Sequence, residues 1–304
     1  MIKNSLQIEN SKLKIIFFGT PDFVIPIAKS LSQHFDLLGV VTSPDAPAGQ
    51  KKVITPSPVK QWFMEYLLKT NKEGIILTPD TLDNDVAIKL RKLHPDLFVV
   101  AAYGKLIPKK ILDIPHLGAL NVHPSRLPLY RGPSPIQQAL LDGKKTLGIA
   151  IIKMDQELDH GPLLTQWEIP IETSDTLTSL HVKAFEDTSK KFPLLINDYQ
   201  QGNLKLKEQN HKEATFSKKI TKQDGYFDID NPPSPETLQR MIKAYYPWPT
   251  AWTKVRTKNH ESRIMKFLPN GYVQMEGKNQ TKLKELLNGY PELQEKITKL
   301  SLDS

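Results

Sequence analysis

An asparagine and a histidine stand two residues apart in the run NVHPSRLPLYRGPSP, residues 121–135. Asn121 offers a neutral donor to a developing oxyanion. Histidine is the side chain that changes charge nearest neutral pH, which suits His123 to moving a proton or adding positive charge. If GALNV at 118–122 is a strand, both side chains project from one face, because a strand alternates its side chains with period two. They would then sit together at the C-terminal end of a parallel strand, where open α/β sheets bind ligands. The run itself holds no acidic partner, and Asp159 in LDHG at 158–161 is the candidate to orient and charge the imidazole. Residue types alone leave two readings open: a catalytic group, or polar side chains that merely satisfy buried groups at a strand end. Asp159 by itself also suits an ordinary turn, and His160 a solvated loop.

The elements that must position these residues are legible in the hydrophobic pattern. KIIFF at 14–18, LLGVVT at 37–42 and LFVVAAY at 97–103 are short apolar runs, the pattern of parallel strands buried on both faces. Helical patterns, IPIAKSLSQHF, VKQWFMEYLL and DNDVAIKLRKL, lie between them. This alternation predicts a doubly wound, Rossmann-like α/β domain with a mainly parallel sheet. Ser134 and Pro135 predict the N-cap and first residue of a helix SPIQQALLDG that Gly143 closes. LGIAIIKM and LLTQWEIPI then predict strands flanking the QELDHG loop. From Asp175 a long helical pattern runs to Pro193, which is expected to break or kink it. After Gly202 the chain turns lysine-rich and polar, which marks an interdomain segment. The expected division is a catalytic domain at 1–202, a basic linker at 203–214 and a C-terminal domain at 215–304.

Composition removes several classes of chemistry. The 304 residues include no cysteine, which excludes disulfides, thiolate zinc sites and a cysteine nucleophile, and suits a reducing compartment. No apolar run approaches the roughly 20 residues that span a bilayer, and MIKNSLQIENSK has no apolar segment for export, so a cytoplasmic protein is expected. GTPDF after the first strand has neither the three glycines of a dinucleotide fingerprint nor the GK[ST] of a P-loop. The eight histidines form no HExxH pair, and no metal is expected. The net charge of +8 gives a mild bias towards polyanions such as nucleic acid.

The run at 121–137 together with ELDHG downstream resembles the 10-formyltetrahydrofolate-dependent formyltransferases. FFGTPDFVIP at 17–26, TSPDAPAGQKK at 42–52 with PSPVK at 56–60, YYPWPTAW at 245–252 and LLNGYP at 286–291 resemble the branch whose acceptor is methionyl initiator tRNA. The likeness covers nearly the whole chain after its first dozen residues. It implies that Asn121, His123 and Asp159 form a catalytic constellation for direct formyl transfer, without a covalent enzyme intermediate and without a metal. The acceptor amine attacks the formyl carbon, Asn121 and protonated His123 meet the charge on the formyl oxygen, and Asp159 favours the charged imidazole. His123, or a water held by Asp159, then carries the amine proton to the leaving nitrogen. The same resemblance implies folate contacts at Ser125, Arg126, Leu127 and Pro128, and at Leu106 and Ile107 in the YGKLIP loop. It places Thr20, Pro21 and Phe23 at the acceptor amine. A monomer is expected.

For the tRNA itself the resemblance points to Lys51 and Lys52, in a loop that enters the end of the acceptor stem; from the residues alone, Lys218 and Lys219 beyond the linker are expected to belong to a positive track for phosphates. Ala46 and Gln50 stand where family members commonly have arginine. Arginine reads bases through bidentate contacts, whereas lysine acts mainly as a point charge on phosphate, so discrimination here is expected to be weaker or carried elsewhere. The family's second domain is an OB-like barrel. Only three convincing strands, AWTKVR, SRIMKFL and GYVQME, precede the helical KLKELLNGYP, so a smaller, trimmed OB-like domain is expected. Two other readings share these motifs: a sugar-nucleotide N-formyltransferase with the same donor, and a non-catalytic folate- or RNA-binding protein on this scaffold.

Overall fold

The computed structural model describes residues 12–49, 52–258 and 261–300. Its chain order begins β1 (Lys14–Gly19), α1 (Ile25–His34), β2 (Asp36–Val41), β3 (Ala46–Ala48), β4 (Val53–Thr55), α2 (Pro58–Thr70) and β5 (Ile75–Leu77). It continues through α3 (Asn84–Arg91), β6 (Leu97–Ala101), α4 (Lys109–Leu112), β7 (Ala119–His123), α5 (Pro135–Leu141), β8 (Thr146–Lys153), β9 (Leu163–Pro170) and the long α6 (Leu177–Gln200). The C-terminal part carries α7 (Pro235–Ala244), β10 (Ala251–Arg256), β11 (Ser262–Leu268), β12 (Tyr272–Met275), β13 (Thr281–Lys282), α8 (Leu283–Gly289) and α9 (Gln294–Thr298).

Seven strands form one sheet in the order β5-β2-β1-β6-β7-β8-β9. The pairs β2–β5, β1–β2, β1–β6 and β6–β7 are parallel, and β7–β8 is antiparallel. The sheet is therefore mainly parallel. Strand β1 sits between β2 and β6, so the chain leaves it in one direction and returns on its other side. Such a reversal opens a crevice beyond the carboxyl ends of the strands. Every residue of β6 is buried, as expected for a strand covered on both faces.

Two units partition the chain. One runs through His123 and takes in Ala150–Thr165 and Phe185–Gln209; the other comprises Pro124–Ile149, Gln166–Ala184 and the chain from Asn210 on. Each has its own apolar core. In the first, Ile16, Phe18, Val41, Leu90, Phe98, Val100, Tyr103 and Ile111 pack together. In the second, Phe227, Leu238, Ile242, Ala251, Met265, Phe267 and Met275 do so. The second core lies on an open antiparallel sheet, β10-β11-β12-β13. The three strands read from the sequence are joined by β13, only two residues long, before α8 begins.

The expected break at Pro193 does not occur, because α6 continues through it to Gln200. Proline cannot donate to the carbonyl four residues back, here that of Ser189. Ser30 Oγ donates to that oxygen instead, at 2.8 Å, from α1. The missing helix bond is thus replaced from outside the helix, and Ser30 is buried where water cannot compete. Ser30→Ala is expected to leave the carbonyl unsatisfied and to cost about 1–3 kcal/mol, lowering the urea midpoint. An unchanged midpoint would show that the oxygen has another donor. The helix runs to Gln200, and just beyond it Gly202 takes φ +73°, a left-handed terminus that glycine adopts without strain. Among the described residues no helix is long and apolar enough to cross a membrane.

Candidate active site

Asn121 and His123 lie on β7, with Asn121 facing Val100 of β6 and Ile152 of β8, and His123 facing Ala150. Period two places both side chains on one face at the strand's carboxyl end. Asp159 comes to them from the turn between β8 and β9. Its Oδ1 accepts a hydrogen bond from Asn121 Nδ2 at 3.3 Å and lies 3.5 Å from His123 Nδ1. The His123 and Asp159 side chains are only 6% and 10% exposed, so charge placed between them is weakly screened. The structure thus gathers all three residues around one carboxylate oxygen. An acid, a base and an amide in this arrangement can hold an imidazolium and present amide hydrogens to an oxygen that becomes negative.

Neighbouring strand ends supply the surroundings. Thr20 follows Gly19 at the end of β1, and its Oγ1 lies 3.1 Å from Ser43 Oγ and 3.4 Å from the Tyr103 carbonyl. One hydroxyl therefore links the ends of β1, β2 and β6. Gly19 is needed there, because a Cβ would stand 2.6 Å from the Phe17 ring. Pro21 precedes a single helical turn, and Phe23 is half-buried with its ring 5.2 Å from that of Phe185. In the loop after β6 the Lys105 ammonium donates to the Pro79 and Asp80 carbonyls at 2.6 and 2.9 Å. Beside it Leu106 is 76% exposed, an apolar side chain open to a ligand, whereas Ile107 is buried in the core. Burial pushes the Tyr103 phenol up to about 12, so it stays protonated at neutral pH, and its hydroxyl has no hydrogen-bond partner among the described residues.

The polar corner after His123 belongs to the second unit and is braced throughout. Ser125 is buried and its Oγ donates to the Leu129 carbonyl at 2.6 Å. Leu127 is buried, and the peptide joining it to Pro128 is cis. Arg126 is exposed and pairs with Glu168 at 2.8 Å, a surface contact of small energetic weight. The strand-like segment at 215–217 stitches the corner down: Arg131 N donates to Thr215 O, Ser217 N to Arg131 O, and Ser134 N to Ser217 Oγ. Gly132 takes φ +109° with a would-be Cβ 2.8 Å from the Ser217 carbonyl, so a side chain there is excluded. Ser134 does stand before α5, but its side chain makes no capping bond.

The lysines expected at nucleic acid differ in circumstance. Lys51 and the neighbouring Gln50 lie outside the described residues. Lys52 is exposed with φ +48°, in the turn of the β3–β4 hairpin that also bears Ala46. Lys219 is exposed. Lys218 is already engaged by Asp224, whose carboxyl its ammonium holds at about 2, so that pair stays ionised at neutral pH. Ser43, Tyr103 and Gln209 escaped the sequence reading. Gln209 falls in the segment 203–214 yet is only 5% exposed. A lone buried-looking amide in a lysine-rich run gave no signal.

The sequence signature described as Formyl transferase matches residues 13–196. A methionyl-tRNA formyltransferase of Bacillus thuringiensis (strain Al Hakam) is 41% identical over 248 residues, covering 79% of this chain and 75% of that protein. Among solved structures, a methionyl-tRNA formyltransferase from Clostridium thermocellum superposes with a TM-score of 0.60 at 17% identity, covering 88% of this chain and 98% of that one. HypX from Aquifex aeolicus in complex with tetrahydrofolic acid gives 0.58 at 15% identity, over 91% of this chain and 47% of that one.

Proposed function

Since the chain belongs to the formyl transferase family, we propose that it moves the formyl group of 10-formyltetrahydrofolate onto the α-amine of methionyl initiator tRNA, preparing that tRNA for translation initiation. The observation that carries this reading is the convergence of Asn121 and His123 on the Asp159 carboxylate. The amine nitrogen forms a bond to the formyl carbon, and the carbon–oxygen electrons move onto the oxygen. Asn121 and protonated His123 donate to that oxygen, and Asp159 stabilises the imidazolium from Nδ1. When the oxyanion collapses, the bond to the folate nitrogen breaks, and the proton lost by the amine passes to that nitrogen through His123 or a water held by Asp159. No atom of the protein changes its bonding at the end, so no covalent intermediate is required. Burial of the trio supports this scheme, because fixed donors in a site shielded from water are worth far more than in solvent.

The Ser125–Pro128 corner with Leu106 and Ile107 serves the folate, and its bracing limits the ordering cost of binding. Thr20, Pro21 and Phe23 flank the amine. The catalytic function resides in residues 1–202, and residues 215–304, joined through 203–214, hold the tRNA together with Lys51 and Lys52. Lys219 is the stronger contact of its pair, because Asp224 already neutralises Lys218. The protein works as a cytoplasmic monomer without a metal; the absence of cysteine fits a reducing compartment.

The test offers the purified protein 10-formyltetrahydrofolate with methionyl-tRNA or an amino-sugar nucleotide in parallel. Formylmethionyl-tRNA is the expected product, formed with an affinity that falls steeply as salt rises. Product on the sugar alone would overturn the assignment.

A further inference from the structure

Asp159 reaches the site from an unfavourable backbone. Its φ of +49° lies in the left-handed region, which an aspartate occupies at some cost and only when its surroundings hold it there. Three features hold this turn. Gly161 lies flat on the end of β8, since a Cβ would stand 1.9 Å from the Lys153 carbonyl. Asp155 anchors the outer side, with Oδ1 accepting from Glu157 N at 2.9 Å and Oδ2 2.6 Å from His160 Nδ1. Gln209 holds the inner side: its Nε2 donates to the Asp159 carbonyl at 3.0 Å and to the Gly161 carbonyl at 2.7 Å. Both hydrogens of that amide are thereby used. The segment carrying it is itself fixed two residues earlier, where Lys207 and Leu163 exchange backbone bonds of 2.8 and 2.9 Å.

We propose that Gln209 is a positioning residue that sets the Asp159 carboxylate for catalysis, an inference resting on the formyl-transfer reading above. The contacts from Asp159 Oδ1 to Asn121 and His123, 3.3 and 3.5 Å, sit at the long end of the useful range. A small outward drift of the turn would lose both at once. Gln209 grips the main chain of Asp159 itself, so it controls that drift without touching substrate. Being 5% exposed, it yields its bonds to no competing water. Misplacement of a reacting group by about 1 Å costs on the order of 10²-fold in rate, which bounds the expected effect.

The test compares wild type with Gln209→Met, which keeps the volume and removes both donors, in steady-state assays for each substrate. The expected result is a kcat lower by about 10- to 100-fold, with both KM values within about twofold of wild type. A second arm places Gln209→Met in an Asp159→Asn background. If Gln209 acts through Asp159, the added substitution changes kcat there by less than about twofold, whereas independent sites would add. Wild-type kcat, a parallel change of kcat and KM, or additive losses in the double variant would each overturn the inference. Should Gln209→Met fail to fold, Gln209→Glu keeps the shape and turns a carboxylate oxygen on two carbonyls, giving the same comparison. Wild type inactive towards methionyl-tRNA would instead sink the formyl-transfer reading. In that event a crystal structure of the Gln209 variant with Asp159 undisplaced would overturn the positioning role as well.

Discussion

Replacing His123 with alanine is expected to lower kcat for formyl transfer by about 10³-fold while leaving the fold intact. The ring does two things in the proposed reaction, donating to the formyl oxygen and relaying the amine proton, and each is of an order that removal of one group reveals. The structural cost should be small by comparison. His123 ends β7 rather than standing inside it, and its neighbours Val122 and Ala150 keep the strand pairing through their main chains. The measurement is a single-turnover formylation assay beside a thermal melt. Near-normal turnover by a folded variant would remove the imidazole from the mechanism.

The second large effect is expected at Asp159, where Asp159→Asn should reduce kcat by about 10²- to 10³-fold, with little change in KM for either substrate. The two side chains have the same size, so the substitution isolates the charge. A neutral amide still fills the place 3.3 Å from Asn121 Nδ2, but it no longer stabilises an imidazolium at His123. Because that charge matters most when the formyl oxygen is negative, the loss belongs to the transition state and not to substrate binding. Steady-state kinetics distinguish the cases, and a rise in KM with kcat unchanged would assign Asp159 to binding.

The parts of the fold that were legible in the sequence are those whose burial repeats along the chain. KIIFF, LLGVVT and LFVVAAY became β1, β2 and β6 because strands covered on both faces must be apolar throughout. The three-residue β5, β3 and β4 were not legible, since so short a segment shows no period. Pro193 misled for a different reason: local chemistry forbids its helix bond, and only the fold brings Ser30 to the orphaned carbonyl. The same division runs through the site. Asn121 and His123 were visible because one strand carries both at the spacing of one face. Gln209 was invisible because its partners are main-chain oxygens 48 and 50 residues away, and a carbonyl leaves no trace in the identity of its residue. Lys218 looked like a free cation until the turn at Thr221–Asp224 supplied its counter-charge.

The serine that bonds Ser189 and the proline that makes this necessary are 159 and 4 positions from it along the chain, yet one oxygen couples their fates. The two positions are therefore expected to behave as an epistatic pair with a preferred order of change. If Pro193 is first replaced by alanine, a peptide N–H returns to the carbonyl and Ser30 becomes dispensable. In the reverse order the intermediate loses the hydroxyl while the proline still withholds its own N–H, so loss of the serine is expected to be better tolerated once the proline is gone.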